Sequence, residues 1–252
     1  MIGRFVPHLG RLGRATRWRR GKGAPPRVWA HRGDSAHAPE NTLAAFDLAV
    51  RAGADGIELD VQLDRDGKVA VFHDDTLDRL CGRPGRIGDV SVAELRVGGE
   101  PVPLLADVLA SIALEVNVEL KVAHAGRAAA LVAATAAVIK ASPRPDRILI
   151  SSFDPIALVQ MHPHLPDAAL AFLFGDDQAL PVRRGWVGTA IGASLVHPQH
   201  TLCTEARVDA WHRAGLPVNV WTVDDPVELR RLSALGVDGV FANDPAHARV
   251  AL

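Results

Sequence analysis

Residues 56–63 read GIELDVQL, and this stretch decides the fold class. Apolar Ile57, Leu59 and Val61 alternate with polar residues, and a period of two predicts a β-strand. Side chains at positions i and i+2 of a strand point to the same face, about 6.5–7 Å apart along the chain. Glu58 and Asp60 therefore share one face of this strand, and their surroundings determine what kind of protein this is.

Short apolar runs on both sides of this stretch alternate with helical patterns of period 3.6. The other predicted strands cover residues 27–30, 116–121, 147–151, 168–174, 191–196, 217–223 and 237–241. Eight strands joined by helical crossovers imply either a closed barrel or a doubly wound sheet. No Gly-rich dinucleotide turn follows the first strand, which weakens the second option. A chain of 252 residues fits a (β/α)8 TIM barrel, and we predict that fold.

A short insertion is expected after the second strand. Asp66-Gly67 is a hairpin turn signal, and residues 68–72 follow it as a return strand. Residues 76–103 are rich in glycine and irregular in pattern, with one short helical piece at residues 92–95. The helix predicted near residues 178–187 has uncertain limits.

The first 27 residues differ from the rest, since they carry eight basic residues and no acidic one. They lack the apolar run of about 7–15 residues that a secretory signal needs. We expect a disordered, solvated arm at residues 1–27, followed by one barrel domain at residues 28–252. A weak electrostatic contact of this arm with an anionic membrane is the alternative.

Composition narrows the function classes. A net charge of −1 argues against a nucleic-acid binder, which would usually carry a strong basic excess. Cys81 and Cys203 lie far apart and form no metal-spaced motif. We expect both to be free thiols in a reducing compartment, and hence a cytoplasmic protein.

The acidic residues predict a metal site. In a (β/α)8 barrel, catalytic groups lie at the carboxyl ends of the strands. Buried carboxylates persist only if they are protonated, paired with bases or bound to a cation. Glu58, Asp60 and Glu119 together make a hard oxygen site suited to one divalent cation, Mg²⁺ or Ca²⁺. The alternative is a salt-bridge network with Arg32 and Lys121.

Two histidines stand at strand ends on the same side of the predicted barrel. His31 and His73 have the positions of a general acid–base pair, although a single histidine is more often a core or surface residue. Arg32 and Lys121 are placed to neutralise a phosphate. Glu40 is a candidate for orienting His31, Arg32 or the metal ligands.

The order of these motifs resembles the signature of the glycerophosphodiester phosphodiesterase family over residues 28–246. The matching segments are His31-Arg32-Gly33, Pro39-Glu40-Asn41-Thr42, Glu58-Leu59-Asp60-Val61, His73-Asp74, Glu119-Leu120-Lys121, Ser152-Phe153-Asp154, Trp221-Thr222-Val223-Asp224 and Gly236-Val237-Asp238-Gly239.

The resemblance implies a barrel hydrolase that converts small-molecule glycerophosphodiesters to glycerol 3-phosphate and an alcohol. A glycerol hydroxyl would attack phosphorus, and water would open the resulting cyclic phosphate. The implied roles are a divalent cation on Glu58, Asp60 and Glu119, general base and acid at His31 and His73, phosphate binding by Arg32 and Lys121, apolar contact with glycerol from Phe153 and Trp221, and support from Glu40.

Departures from the family pattern leave other functions open. Residues 80–82 replace a usual polar run, and Asn243 stands where Asp is frequent, which we expect to have little effect. The alternatives are a lysophospholipase D-like hydrolase, a non-catalytic barrel that binds glycerophosphodiesters, and a lyase that uses Lys121 in a Schiff base. The intact acidic set disfavours the second, and a protonated Lys121 beside Glu119 disfavours the third.

Overall fold

Eight parallel strands form the wall of a barrel in the computed structural model, which describes residues 16–122 and 125–252. In chain order the strands are β1 (Arg27–Ala30), β2 (Gly56–Leu63), β3 (Val69–Val71), β4 (Arg96–Val97), β5 (Glu100–Pro101), β6 (Glu115–Leu120), β7 (Ile148–Ser152), β8 (Ala169–Phe174), β9 (Leu195–Pro198), β10 (Asn219–Val220) and β11 (Gly239–Ala242). Eight of these strands form the barrel wall, in the order β10-β11-β1-β2-β6-β7-β8-β9. The other three, β3, β4 and β5, belong to the insertion after β2. Isolated parallel bridges between residues 196 and 218 and between 199 and 221 bring β9 to β10. The predicted (β/α)8 barrel is confirmed.

Helices connect the strands and cover the outside of the barrel. They span Leu43–Arg51, Asp78–Cys81, Leu105–Ser111, Ala128–Ala141, Pro155–His164, Leu180–Arg183, Trp186–Ala190, Glu205–Arg213, Pro226–Leu235 and Pro245–Ala251. Three of them start with an Asp-Pro pair, at residues 154, 225 and 244. In each pair the aspartate side chain accepts a hydrogen bond from a free N–H of the first turn, and the proline lacks one such donor.

The barrel interior is apolar at its amino-terminal end. Trp29 of β1 fills this end and packs against Phe241 of β11, with ring centroids 6.0 Å apart. Glycine on the neighbouring strands makes room for the indole, since a Cβ at Gly56 would lie 2.4 Å from Trp29 and one at Gly239 would lie 2.9 Å from it. Tight packing of this end fixes the strand register on which the opposite, carboxyl end depends.

The second half of the predicted arm packs against the barrel. Trp18 is only 2% exposed, and its ring centroid lies 5.8 Å from that of Trp29. Trp18 therefore closes the amino-terminal end of the barrel. Arg17 pairs with Glu115 and Asp146, and the Arg20 guanidinium donates to the carbonyl of Ser233. The predicted domain boundary at residue 28 therefore falls inside packed structure. Residues 1–15 lie outside the described residues, and membrane contact through them stays a prediction.

Two parts of the chain differ from the prediction made from the sequence. The helix predicted near residues 178–187 is two short helices, Leu180–Arg183 and Trp186–Ala190, and the following strand starts at Leu195 instead of residue 191. Gly192, with a positive φ of 71°, ends the second helix and delays the strand. Strand β10 is limited to two residues where seven were predicted. It pairs regularly with β11 over residues 219–220, and the flanking residues 218 and 221 form only isolated bridges, to residues 196 and 199.

The insertion after β2 is confirmed and has a small core of its own. Strand β3 returns antiparallel to β2, and a short hairpin of β4 and β5 follows. Leu77, Ile87 and Leu95 are among the buried residues that hold this insertion together. Within the described residues, no helix combines the length and apolar character that a membrane crossing requires. Cys81 and Cys203 are free thiols, and the cytoplasmic location inferred from them stays a prediction.

Candidate active site

Three carboxylates meet inside the barrel near its carboxyl end. Glu58 and Asp60 project from the inner face of β2, and Glu119 projects from β6, where it is paired in register with Asp60. One oxygen of each lies within 4.8 Å of the others, and all three side chains are buried. The alternation seen in residues 56–63 thus places the acids inside and the apolar residues against the surrounding helices.

Two basic side chains surround this acidic cluster. Lys121 Nζ lies 2.6 Å from Glu119 and 3.2 Å from Asp60. Arg32 Nε lies 3.3 Å from Asp60, and the Arg32 backbone N–H donates to Glu58 at 2.9 Å. Three carboxylates and two cations leave one negative charge in excess inside the barrel, so a salt-bridge network alone does not balance the cluster.

Burial and the neighbouring charges shift the pKa values of the acids in opposite directions. Burial, followed by the charges of Asp60 and Glu119, raises the pKa of Glu58 well above its usual range. Burial acts the same way on Asp60, but Lys121 and Arg32 outweigh it and lower the pKa of Asp60. Burial also raises the pKa of Glu119, against the pull of Lys121. Glu58 is therefore the acid that lacks a compensating cation.

The residues present fit a divalent cation. Glu58 Oε1 is buried and has no hydrogen-bond partner, so its lone pairs are available to coordinate a hard cation. The three acidic side chains offer carboxylate oxygens only, the ligand type that Mg²⁺ and Ca²⁺ prefer. Asn41 supports the set, because its Nδ2 donates to Asp60 Oδ2 at 2.8 Å.

His31 stands directly after β1 and faces the cluster. Its Nε2 lies 4.0 Å from Glu58, and its Nδ1 lies 2.8 Å from Asn243 Oδ1. Asn243 uses its Nδ2 to donate to Asp224, so its Oδ1 is the acceptor and His31 Nδ1 carries the hydrogen. Burial, then the charge of Arg32, lowers the pKa of His31 to about 4. His31 is thus a neutral imidazole with the Nε2 lone pair directed to the site.

His73 has a different partner. Its Nδ1 lies 2.6 Å from the carboxylate of Asp74, and Arg79 binds both oxygens of that carboxylate at 2.7 Å. Burial lowers the pKa of His73, while Asp60 and the hydrogen bond to Asp74 act in the opposite direction. A carboxylate stabilises a charged imidazolium better than a neutral amide does, so the surroundings of His31 and His73 are unequal.

The loop after β1 holds Arg32 in an unusual backbone conformation. Arg32 and Asn41 have φ angles of 57° and 58°, in the left-handed region that residues with a side chain seldom adopt. The Asn41 backbone N–H donates to the Arg32 carbonyl, which closes the loop. Glu40 accepts from Arg32 Nη1 at 2.8 Å and from Arg79 at 2.7 and 2.9 Å, and so ties this loop to the insertion. Strain of this kind is typical of functional loops.

A cavity of about 220 Å³ lies above the carboxylates. Phe153 and Trp221 form one wall and pack edge to face, with ring centroids 5.4 Å apart. The Trp221 indole N–H donates to the carbonyl of His197, which fixes the ring. Of the predicted site residues, those that line this cavity are His31, Arg32, Glu58, His73, Glu119, Lys121, Phe153 and Trp221. Asp60 is buried next to the basic residues, and Glu40 lies behind Arg32.

Sequence reasoning missed three site residues. Asn243 was expected to have little effect, yet it holds His31; Arg79 joins Asp74 to Glu40; and Asn117 lines the cavity with its Oδ1 buried and without a partner. Only Asn117 left a signal in the sequence. It lies two residues before Glu119 on a strand in which polar and apolar residues alternate, so it shares the inner face.

Comparison with known proteins gives one consistent family. Residues 31–247 match the model of the Glycerophosphoryl diester phosphodiesterase family. A protein named glycerophosphodiester phosphodiesterase from Caldanaerobacter subterraneus subsp. tengcongensis is 34% identical over 86% of this chain and 94% of its own length. A relative of the same name from Bacillus altitudinis is 33% identical over 88% of this chain and 96% of its own.

Solved structures agree with the sequence comparison. A glycerophosphoryl diester phosphodiesterase structure from Silicibacter pomeroyi superposes with a TM-score of 0.84 at 25% identity, covering 97% of both chains. An Oleispira antarctica phosphodiesterase, solved in complex with the product sn-glycerol-3-phosphate, superposes with a TM-score of 0.82 at 29% identity, covering 90% of this chain and 96% of that one.

Proposed function

The chain belongs to the glycerophosphoryl diester phosphodiesterase family, and from that premise we propose that it hydrolyses glycerophosphodiesters to sn-glycerol 3-phosphate and an alcohol with the aid of one divalent cation. The buried excess of one negative charge carries this proposal. A dication would turn that excess into one positive charge, and a phosphodiester anion would then restore neutrality. With all three acids ionised, the site is thus balanced when both are bound, whereas the metal-free site is balanced by a proton on Glu58.

Glu58, Asp60 and Glu119 would hold the cation, which supplies Lewis-acid stabilisation of charge on the phosphoryl group. Mg²⁺ and Ca²⁺ both suit a set of three carboxylates. Arg32 and Lys121 border the same cavity and would bind the phosphate oxygens. Both remain charged, since the burial that lowers the pKa of Lys121 is outweighed by Asp60 and Glu119.

The unequal partners of the two histidines divide the proton transfers between them. His31 is neutral, with a lone pair on Nε2, and acts as the base that takes the proton from a glycerol hydroxyl. That oxygen bonds to phosphorus as the bond to the alcohol breaks. His73, whose imidazolium Asp74 stabilises against the burial that lowers its pKa, gives its proton to the leaving oxygen. Water then opens the cyclic phosphate with the two proton transfers reversed.

The remaining site residues position the substrate. Phe153 and Trp221 present an apolar wall suited to the carbon backbone of glycerol. Lys121 Nζ lies 5.9 Å from the centroid of the Phe153 ring, which brings the phosphate and glycerol subsites together. Glu40 would keep Arg32 in place through its hydrogen bond at 2.8 Å.

The test is release of sn-glycerol 3-phosphate from purified glycerophosphodiesters, with lysophosphatidylcholine included to detect lysophospholipase D-like activity. We expect turnover that EDTA abolishes and that Mg²⁺ or Ca²⁺ restores. Glu119→Gln should weaken metal binding measured by calorimetry. Glu115→Gln is the matched control, because Glu115 lies on the same strand at the opposite end of the barrel, where it pairs with Arg17 and Arg27. Full turnover by protein shown to be metal-free would refute the proposal.

A further inference from the structure

A second groove opens beside the candidate site, and apart from Lys121 none of its lining residues has a role assigned above. It has a volume of about 300 Å³ and lies between the insertion and the helix Ala128–Ala141. Its floor is formed by Leu63, Ile87 and Leu131, which are all buried. Arg127 spans it, donating to the carbonyls of Asp64 and Gly88, so the insertion is joined to the barrel across the groove.

This groove is continuous with the catalytic cavity. An intermediate space of about 390 Å³ shares His73, Glu119 and Phe153 with the cavity and shares Gln62 and Asp75 with the groove. Lys121 borders all three. A molecule bound at the phosphate position can therefore extend past His73 into the groove.

We infer that this groove binds the alcohol part of the diester and that it selects an uncharged, hydroxyl-rich alcohol. The inference rests on the proposed function, in which His73 protonates the leaving oxygen. His73 lines both the cavity and the intermediate space, so the leaving oxygen that it protonates and the attached alcohol would lie on the groove side. Glycerol would lie toward Trp221, which lines the cavity but not the intermediate space.

The charges around the groove are balanced. Asp75 and Asp89 are the acidic residues of the lining, and Arg86 and Arg127 are its basic residues apart from Lys121, which the acidic cluster neutralises. Asp75 forms an ion pair with Arg86. Hydroxyl groups both donate and accept hydrogen bonds, so a polyol can bind a carboxylate and a guanidinium together without separating the pair.

Other classes of alcohol fit less well. Among the described residues that line the groove, none is aromatic, whereas quaternary ammonium groups are usually bound by aromatic rings. Glycerol and an inositol ring both fit within a groove of about 300 Å³, while the long acyl chain of a lysophospholipid exceeds it.

The experiment compares kcat/KM for four diesters: glycerophosphoinositol, glycerophosphoglycerol, glycerophosphocholine and the methyl ester of glycerol 3-phosphate, whose alcohol is too short to reach the groove. We expect the two polyol diesters to be preferred over the choline diester by at least tenfold. Arg86→Gln and Asp75→Asn should each lower the polyol-to-methyl ratio about tenfold. Arg249→Gln, which removes a similar surface ion pair with Asp55 at the far end of the barrel, should leave that ratio unchanged.

The outcomes separate this inference from the proposed function. Equal kcat/KM for all four diesters, or a polyol-to-methyl ratio that neither groove variant changes, would overturn the polyol groove and leave the hydrolase intact. Preference for glycerophosphocholine, or for lysophosphatidylcholine in the same assay, would also overturn it. Failure to hydrolyse any of the diesters with Mg²⁺ or Ca²⁺ present would overturn the proposed function itself.

Discussion

Replacing Glu58 with glutamine should stabilise the metal-free protein while removing its response to metal. Glu58 is 3% exposed, and its ligand oxygen lies within 4.8 Å of those of Asp60 and Glu119. Glutamine has the same shape and keeps an oxygen that can accept from the Arg32 backbone N–H. The substitution therefore changes the charge of the cluster and preserves its geometry.

The magnitude follows from the charges. The ligand oxygens lie within 4.8 Å of one another. At an effective dielectric constant near 20, two unit charges at this separation repel by about 3.5 kcal/mol. Glu58 has two such neighbours, and Arg32 and Lys121 offset part of the repulsion. We expect a gain of about 2 kcal/mol in the free energy of unfolding at pH 8, which corresponds to a rise in Tm of roughly 4–8 °C for a chain of this size.

The gain in stability from Glu58→Gln should increase as pH rises. The pKa of Glu58 is raised in the folded protein, so the folded state holds a proton that the unfolded chain releases near pH 4.5. Stability from this group is present below pH 4.5 and is lost as pH rises toward the folded pKa. Metal-free wild type should thus lose stability between pH 5 and pH 8, and Glu58→Gln should lose less.

Thermal unfolding in EDTA and in saturating Mg²⁺ or Ca²⁺ tests this reasoning. Metal at 100 times its dissociation constant stabilises a protein by about 2.7 kcal/mol. Wild type should show this increase, and Glu58→Gln should not. Glu115→Gln should keep the wild-type response to metal, since Glu115 lies outside the cluster. A lower Tm for Glu58→Gln than for wild type in EDTA, or an equal metal response in both, would refute the account of the cluster.

Two further predictions concern the histidines. His73→Ala should lower kcat by about 10²–10⁴-fold with metal binding by calorimetry nearly unchanged, because His73 lies outside the three carboxylates; wild-type turnover would remove its role as the acid. Asn243→Ala should lower kcat at least tenfold with KM and metal affinity preserved, and nitrogen NMR should show His31 losing its fixed Nδ1–H tautomer; an unchanged tautomer would show that Asn243 does not position His31.

The regular parts of the barrel were predictable because each strand is short and carries its own pattern. In β2 the alternation of apolar and acidic residues fixes which side faces the interior, and a slip of one residue would place the acids against the helices. The stretch between β8 and β9 was not predictable in the same way. There the chain forms two helices of four and five residues, too short to show a period of 3.6.

The candidate site likewise contains residues that the strand pattern predicts and residues that it does not. His31, Glu58 and Lys121 follow or occupy strands, so a barrel topology alone brings them to one end. Asn243 meets His31 across 212 residues of sequence, and Arg79 meets Glu40 across 39. An asparagine after a strand and an arginine in a short helix are common on protein surfaces. Their side-chain partners therefore become visible only in three dimensions.

Residues that stabilise the fold lie at the amino-terminal end of the barrel interior, and the candidate site residues lie at its carboxyl end. Moving two residues toward the carboxyl end leads from Trp29 to His31, from Gly56 to Glu58 and from Phe241 to Asn243, that is, from packing residues to polar ones. The polar end costs free energy, since like charges are buried there and two residues have left-handed backbone angles. The aromatic end, sealed by Trp18, contributes burial that offsets this cost. A substitution in the aromatic end should therefore lower stability first, whereas one at the polar end, such as Glu58→Gln, can raise stability while abolishing function.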